Sequence, residues 1–216
     1  MPGVSLTIER YADLVRTMLA TPPRWGPVRL VAVDGPAGAG KTTFARRLAA
    51  ALRAADVDYA EIHTDDLLEG WTDVLNFWPR LREWVLEPLG RGEPARYRRY
   101  DWERGRFDDA WRSLPVPGVL LVEGVSSARA AIRPYLGLGV FVTADADLRL
   151  ARGVARDGEA LRDDWVRWMA DEDRHFAEDR THMGVHMIAD GAPAVAHDPD
   201  REFVRVRGEP VPSLNP

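Results

Sequence analysis

The amino-acid sequence predicts an α/β fold in which a parallel sheet is covered by helices on both faces. Two observations lead to this prediction. Short apolar runs rich in β-branched residues alternate along the chain with segments whose apolar residues recur at helical spacing. A glycine-rich segment also stands directly between the first such run and the next helical segment. Alternating strands and helices are typical of parallel sheets, because each crossover lays a helix on one face.

In the N-terminal half, each element follows from its spacing and its flanking residues. Apolar residues recur at helical spacing over residues 8–19, and Thr21-Pro22-Pro23 ends this predicted helix. Residues 30–33 form a β-branched run that indicates a buried strand, and residues 44–52 carry the apolar face of the following helix. Residues 59–62 indicate a second short strand. Strand, helix and strand form the first unit of the predicted sheet.

The C-terminal half continues the alternation. A helix is predicted over residues 75–89, with a break at Pro79. The other predicted elements are strands over residues 118–122, 138–143, 186–189 and 203–206 and helices over residues 147–156 and 159–177. We expect residues 208–216, which are rich in proline, to form a flexible tail. Residues 1–216 then form a single domain.

Composition and charge narrow the function classes. The formal net charge is -5 and the pI about 5.6, whereas a general nucleic-acid binder presents a basic field. The chain has no cysteine, which excludes disulfides and thiolate metal sites. We find no apolar run of membrane-spanning length and no signal peptide. The expectation is a cytoplasmic enzyme with no membrane or nucleic-acid partner.

The glycine-rich segment fits a phosphate-binding loop. Residues 35–42 match the pattern G-x-x-x-x-G-K-[ST] between a predicted strand and a predicted helix, which makes a chance glycine-rich turn the weaker alternative. Its glycines allow a tight turn whose N–H groups point at phosphate oxygens. Lys41 would reach the β- and γ-phosphates, and the Thr42 hydroxyl would bind Mg²⁺. The nucleotide-binding candidates are Gly35, Pro36, Ala37, Gly38, Ala39, Gly40, Lys41, Thr42 and Thr43.

Carboxylates after two strands complete the chemistry of a phosphoryl transfer. Asp65 and Asp66 follow the second strand, and Glu123 follows the third. We assign Asp65 as the base that accepts a hydroxyl proton, with a further contact to Mg²⁺, and Glu123 as a Mg²⁺ ligand. The alternatives are a helix cap for one of the two aspartates and a solvent-facing strand end for Glu123. The crevice at the carboxyl ends of parallel strands favours the functional interpretation.

An ordered set of motifs gives the chain a family resemblance. The set comprises residues 35–42, His63-Thr64-Asp65-Asp66-Leu67-Leu68, Arg99-Tyr100-Asp101-Trp102, Val122-Glu123-Gly124, Arg156-Asp157-Gly158-Glu159 and Ala189-Asp190-Gly191. With these motifs the chain resembles the uridine kinase-like branch of the P-loop nucleoside kinases, and most of all actinobacterial proteins of that branch. The resemblance implies a three-layer P-loop NTPase sandwich of the nucleoside and nucleotide kinase type. It also implies a substrate-side insert at residues 66–115 and a helical lid at residues 149–182.

The resemblance further implies roles for individual residues. Asp65 matches the catalytic aspartate of the family, and Glu123 matches its Mg²⁺-binding glutamate. Arg149, Arg152 and Arg156 correspond to the lid arginines, and we take Arg152 and Arg156 as candidates for stabilising the transferring phosphoryl group. Without the resemblance, their spacing of three and four residues favours a solvated helix face.

The chain departs from this family where the acceptor is recognised. Uridine kinases have a Phe-Asp-His-Pro element whose aspartate holds the ribose hydroxyls, and Asn76-Phe77-Trp78-Pro79 stands in that neighbourhood. The Tyr-Asp-Phe segment of the family is followed by a histidine that helps to read the base, whereas Glu103 follows Tyr100-Asp101-Trp102. Kinase chemistry carries over to this chain better than specificity for uridine.

Aromatic and charged residues near Asp65 are candidates for acceptor binding. The arginines and aromatic rings of residues 96–102 could line a substrate pocket, bind nucleic acid or form a surface loop. The acidic chain and the shortness of this run favour the pocket. Trp71 comes shortly after Asp65 and is placed near the acceptor, although most of the tryptophans should pack in the core. The acceptor-binding candidates are Asp66, Trp71, Arg99, Tyr100, Asp101 and Trp102.

These features predict a kinase that uses ATP or GTP with Mg²⁺ and phosphorylates a hydroxyl of a nucleoside-like metabolite. The expected partners are a nucleoside triphosphate and a small-molecule acceptor, and a homo-oligomer is compatible with the sequence. The alternatives are a kinase for another alcohol, such as a pantothenate-like compound, a sugar or a natural product, and a regulatory nucleotide-binding protein without turnover. The catalytic candidates are Lys41, Asp65, Arg152 and Arg156.

Overall fold

A central β-sheet organises the molecule. The computed structural model describes residues 5–74 and 76–207, and the main sheet has seven strands within these residues. The strands of the described chain are β1 (Ser5–Arg10), β2 (Arg29–Asp34), β3 (Tyr59–His63), β4 (Ala95–Tyr97), β5 (Tyr100–Asp101), β6 (Arg106–Phe107), β7 (Arg112–Leu114), β8 (Val119–Glu123), β9 (Leu136–Thr143), β10 (Met187–Asp190) and β11 (Glu202–Arg207). The main sheet has the order β1-β11-β10-β9-β2-β8-β3. Its strands from β10 to β3 run parallel, whereas β11 is antiparallel to both of its neighbours.

Helices cover both faces of this sheet. The α-helices are α1 (Tyr11–Leu19), α2 (Lys41–Ala54), α3 (Trp78–Leu81), α4 (Glu87–Gly90), α5 (Ala146–Asp157), α6 (Arg162–Asp179) and α7 (Thr181–Gly184), and a π-helical turn, Arg82–Leu86, joins α3 to α4. Along β2, Val31 and Val33 share an apolar cluster with α1 and α2. Leu30 and Ala32 share a second cluster with α3, α4 and α6. A parallel strand buried on both faces has a continuous apolar sequence, and the predicted layered α/β fold is confirmed.

The N-terminal segment differs from its predicted helix. Residues 5–10 form β1, which pairs with β11, and α1 begins only at Tyr11. Ile8 lies opposite Val204 in this antiparallel ladder. Helical spacing and strand alternation both fit so short an apolar pattern, and the ladder hydrogen bonds offered by β11 favour the strand. The prediction of a helix over residues 8–19 is therefore wrong for its first three residues.

The helix predicted over residues 75–89 also needs a correction. Its predicted first residue lies outside the described part of the chain, and the structure begins this helix at Trp78, with Pro79 in the first turn. Proline is tolerated there because the first N–H groups of a helix have no intrahelical partner. Pro79 therefore lies within the first turn, and the prediction that it breaks the helix is wrong.

Two further expectations concern the ends and the environment of the chain. The predicted tail at residues 208–216 lies outside the described residues. Among the residues that are described, no helix combines the length and the apolar composition needed to cross a membrane.

The carboxyl ends of the parallel strands bring the motifs to one edge of the sheet. Asp34 ends β2 and leads into the glycine-rich loop, and Glu123 ends β8. The 3₁₀ turn Thr64–Asp66 follows β3 directly. The segment at residues 66–115 contains α3, α4 and two small antiparallel pairs, β4 with β7 and β5 with β6. Ligands of open α/β sheets bind at this edge, so the candidate site belongs here.

Candidate functional site

The glycine-rich loop connects β2 to α2 and is closely packed on both sides. Gly38 has a φ of +76°, and a Cβ atom there would lie 2.5 Å from the carbonyl oxygen of Arg149. Gly191, directly after β10, packs onto the same loop. A Cβ atom added there would lie 1.7 Å from the carbonyl oxygen of Ala39. Only glycine fits at either point without a shift of the backbone. We call residues 35–42 the P-loop.

Lys41 begins α2 and lies against the backbone of the P-loop. It is 8% exposed, and its Nζ atom donates a hydrogen bond to the Pro36 carbonyl oxygen at 3.1 Å. Burial is the largest influence on the pKa of Asp65 and of Glu123 and acts to raise both, and the positive charge of Lys41 opposes this rise in each. The ammonium group is therefore close to both predicted acidic residues.

The Glu123 carboxylate contacts both α2 and β3. Its Oε1 atom accepts a hydrogen bond from the Thr42 hydroxyl at 3.2 Å, and its Oε2 atom lies 2.7 Å from Nδ1 of His63. Burial alone would raise the pKa of Glu123, but His63, Lys41 and Thr42 outweigh it and hold the pKa below its usual value. The same contact raises the pKa of His63 to about 9. At neutral pH the pair is therefore a carboxylate beside an imidazolium.

Asp65 lies in the 3₁₀ turn after β3 and opens into the cleft. Its side chain is reachable by solvent, yet the walls of the cleft surround it, and the loss of hydration raises the pKa of Asp65. Lys41 and Arg156 oppose this rise, and Glu123 adds to it. The neighbouring Asp66 accepts a hydrogen bond from Nε of Arg99 at 2.8 Å. The turn makes no side-chain capping bond at its start.

The three arginines predicted for the lid occupy different environments. Arg149 is buried, and its Nη1 atom lies 3.7 Å from the carboxylate of Glu172. Arg152 donates hydrogen bonds to the carbonyl oxygens of Gly38 at 3.0 Å and Gly191 at 3.3 Å. Arg156 lines the cleft and lies 5.4 Å from the ring centre of Trp165. The structure thus brings Arg152 and Arg156 to the cleft and places Arg149 behind the P-loop.

Four tryptophans form a second wall of the cleft, beside the P-loop. Trp71 meets Trp102, Trp165 and Trp168 edge to face, with ring centres 5.6–5.9 Å apart. All four tryptophans line the cleft, and Trp102 is 41% exposed. The Nε1 atom of Trp102 also donates a hydrogen bond to the Asp65 carbonyl oxygen at 3.1 Å. Trp102 therefore contacts the predicted base Asp65 directly, and Trp71 packs against Trp102.

The other predicted acceptor residues lie around this wall rather than in it. Tyr100 is 7% exposed and packs against Trp102 and Phe107. The Asp101 carboxylate accepts hydrogen bonds from the backbone N–H groups of Glu103 and Arg104 and so stabilises a turn. With Arg99 paired to Asp66, these residues position the segment that presents Trp102.

The two walls enclose one cleft of about 1280 Å³. The P-loop side and the tryptophan side both open into it. Its lining includes Ala37, Gly38, Gly40, Lys41, Thr42, Thr43, Asp65, Glu123, Arg152, Arg156 and residues 190–193. A volume of this size accommodates two small ligands side by side.

Asp34 is a buried carboxylate outside the set of site residues predicted from the sequence. It is fully buried and accepts hydrogen bonds from the backbone N–H groups of Gly35, Ser126 and Ala128 at 2.7, 2.9 and 2.8 Å. Burial raises the pKa of Asp34 to about 6. Its position directly before Gly35 is the one signal that could have identified it.

Glu172, on α6, is a second carboxylate outside the set of predicted site residues. Both of its oxygens accept the backbone N–H of Ala37, at 2.9 and 3.0 Å, and Nε1 of Trp168 donates to Oε1 at 2.5 Å. Burial raises the pKa of Glu172 to about 7. The two contacting residues are 135 positions apart, so local sequence patterns carry no signal for this contact.

Known proteins share only limited sequence similarity with the chain. No protein-family model matches the chain. Inorganic pyrophosphatase TTM2 of Arabidopsis thaliana is 31% identical over 137 residues, which are 59% of this chain and 20% of that protein. The chain therefore spans only about a fifth of the length of this relative.

Solved structures of two kinase candidates are similar to the chain. A candidate uridine kinase from Bacillus stearothermophilus matches with a TM-score of 0.61 and 18% identity, over 82% of this chain and 96% of that one. A candidate fructose transport system kinase from a Silicibacter species matches with a TM-score of 0.50 and 21% identity, over 81% and 89%. The chain has the fold of P-loop kinases, which confirms the predicted fold class.

Proposed function

We propose that the protein is a kinase that transfers the γ-phosphoryl group of ATP or GTP to a hydroxyl of a nucleoside-like small molecule. One observation carries the proposal: the Asp65 carboxyl opens into the same cleft as Lys41, Thr42 and Glu123. Nucleotide binding alone needs no carboxylate base, whereas transfer to an alcohol gains from one. The similar solved structures of kinase candidates support the proposal.

The residues of the chain divide the work of this transfer. The P-loop N–H groups and the Lys41 ammonium bind the phosphates of the donor. Asp65 accepts the hydroxyl proton while the acceptor oxygen bonds to the γ-phosphorus and the bond from phosphorus to the bridging oxygen breaks. Its raised pKa makes Asp65 a stronger base than an ordinary aspartate. Arg152 and Arg156 stabilise charge on the transferring group.

Thr42 and Glu123 fit a Mg²⁺ ion. Their oxygens lie 3.2 Å apart, and His63 keeps Glu123 ionised, so the pair offers the hard oxygen ligands that Mg²⁺ prefers. Proteins usually hold this ion through one or two such side chains together with phosphates and water. When bound, Mg²⁺ supplies positive charge that stabilises the phosphates.

A kinase for another alcohol is the second candidate. Phe77 belongs to the segment that stands near the ribose-binding element of uridine kinases, and it is fully buried in the apolar core. This segment therefore offers no carboxylate to a ribose. A sugar, a pantothenate-like compound or another alcohol metabolite would still reach Asp65 through the same cleft.

A mass-spectrometric acceptor screen tests the proposal. The protein would be incubated with Mg²⁺, ATP or GTP and a panel of nucleosides, nucleotides, sugars and pantothenate. We expect a product heavier by one phosphoryl group, and Asp65→Asn should lower its rate by about 10²- to 10⁴-fold. Asp13→Asn, the same change on the exposed surface of α1, is the matched control and should leave the rate unchanged.

The outcomes separate the candidate functions. A nucleoside product supports the leading proposal, and a product from another alcohol supports the second candidate. Tight nucleotide binding without any product, or a product rate that Asp65→Asn does not change, contradicts the kinase mechanism. Binding without transfer would favour a regulatory nucleotide-binding protein.

A further inference from the structure

Helix α6 places a fully buried carboxylate directly behind the P-loop. Glu172 is 0% exposed, and both of its oxygens lie within 3.0 Å of the Ala37 backbone nitrogen. The cleft lining includes Ala37 and Trp168, which both donate hydrogen bonds to this carboxylate. Glu172 therefore contacts the phosphate-binding wall from the protein interior.

The charge of Glu172 is only partly neutralised. Four groups act on it: Lys41 from α2, Arg149 from α5, the Ala37 N–H from the P-loop and the Trp168 indole from α6. Arg149 is 3.7 Å away, which is beyond hydrogen-bonding distance, and within the described residues its Nε and Nη1 atoms make no hydrogen bond. Burial outweighs these four groups and raises the pKa of Glu172 to about 7, so the carboxyl exchanges a proton near neutral pH.

We infer that Glu172 is a positioning residue that couples helix α6 to the P-loop, and that nucleotide binding is accompanied by proton uptake at its carboxyl. This inference rests on the proposed binding of a nucleoside triphosphate by the P-loop. The phosphates bring negative charge close to Lys41, the same cation that stabilises charged Glu172. Additional negative charge disfavours the carboxylate and favours the protonated form.

Protonation leaves the structural contact in place. A protonated carboxyl group keeps a carbonyl oxygen, which still accepts the Ala37 N–H. Binding and protonation are reciprocally linked, so the protonated protein binds nucleotide more tightly than the ionised protein. Glu172 thus positions the loop in both states, while its charge state tunes the affinity of the loop.

Titration calorimetry tests the inference. Non-hydrolysable ATP and GTP analogues with Mg²⁺ would be titrated into wild type and Glu172→Gln at about pH 7.5, in buffers of different ionisation enthalpy. A pKa rise of about one unit on binding predicts that wild type takes up about half a proton more than the variant. It also predicts that Glu172→Gln binds about tenfold more tightly at high pH, and that the two affinities converge below about pH 6. Glu178→Gln, the same change at an exposed position of α6, is the control and should behave as wild type.

The comparison with Glu172→Gln removes the titration of the nucleotide itself, because both proteins bind the same ligand. Equal proton uptake in the two proteins, or weaker binding by Glu172→Gln at high pH, would overturn the inference while leaving the proposed function intact. No binding by wild type would overturn the proposed function together with the inference.

If Glu172→Gln does not fold, Trp168→Phe removes one hydrogen bond to the carboxylate and keeps most of the ring packing. Its proton uptake should peak at higher pH than in wild type, and an unchanged peak would overturn the inference.

Discussion

The two walls of the cleft are built in different ways. The proposed phosphate wall is a contiguous stretch of backbone, residues 35–42, whose shape depends on close contacts at Gly38 and Gly191. The proposed acceptor wall consists of side chains from separate segments, with Trp71 and Trp102 before β8 and two further tryptophans on α6. Backbone N–H groups recognise any phosphate, whereas a wall of side chains selects by shape and stacking. This difference separates the general part of the site from the specific part.

Of the two walls, the phosphate wall should show the larger effect. Lys41→Met removes its cation and should lower turnover by about 10²- to 10³-fold, by the same factor for every acceptor that the protein phosphorylates. Steady-state kinetics with at least two acceptors measure this factor. Arg46→Met, at an exposed position of α2, serves as the control and should keep wild-type turnover. A factor that differs between acceptors would show that the two walls do not act independently.

A smaller effect is expected from the acceptor wall. Trp102→Ala removes an exposed ring from the cleft and should raise the KM for the acceptor about tenfold while the KM for the nucleotide stays constant. Trp102→Phe keeps an aromatic ring but loses the hydrogen bond to the Asp65 carbonyl oxygen, so it separates stacking from the positioning of Asp65.

Trp111 provides a matched control for this change. It lies in the same segment and is 44% exposed, close to the 41% of Trp102, but its ring packs against Trp84. Trp111→Ala should leave both KM values unchanged. An equal rise in both KM values for Trp102→Ala would contradict a role confined to the acceptor.

The same contrast explains how far the sequence could predict this protein. The P-loop and the strands around it follow from local patterns, because the chemistry of phosphate binding is encoded in consecutive residues. The predictions for Asp65 and Glu123 also used local information, since strand ends in a parallel sheet meet at one edge. Whether these residues act as assigned stays a prediction until activity is measured.

The remaining features depend on contacts between distant segments. Glu172 reaches Ala37 across 135 positions, and no spacing in the sequence indicates this pair. Ile8 fits a helix and a strand equally well, and only the presence of β11 makes it a strand residue. His63 belongs to the motif at residues 63–68, but its pairing with Glu123 depends on the register of β3 against β8, which local sequence does not give. Tertiary structure therefore supplied the groups that tune charge in this site.

His63 provides the smallest and most specific test, through its contact with the cleft residue Glu123. Glu123, Glu61 and Asp66 raise its pKa to about 9, from an ordinary value of 6.5. Folding therefore favours the charged imidazole, and this contribution to stability is complete below about pH 6.5 and is lost as the pH rises through about 9. The side chain is 39% exposed, so solvent screening limits the expected loss to about 1 kcal/mol.

Urea unfolding between about pH 6.5 and 9.5 measures this loss in wild type and in His63→Gln. The free energy of unfolding should fall by about 1 kcal/mol more in wild type than in the variant, because only wild type loses the charged pair. His182→Gln is the control, since burial lowers the pKa of His182 and it titrates below this window. Parallel curves for wild type and His63→Gln would show that the contact with Glu123 contributes nothing to stability. The lowered pKa of Glu123 would then depend on Lys41 and Thr42 rather than on His63.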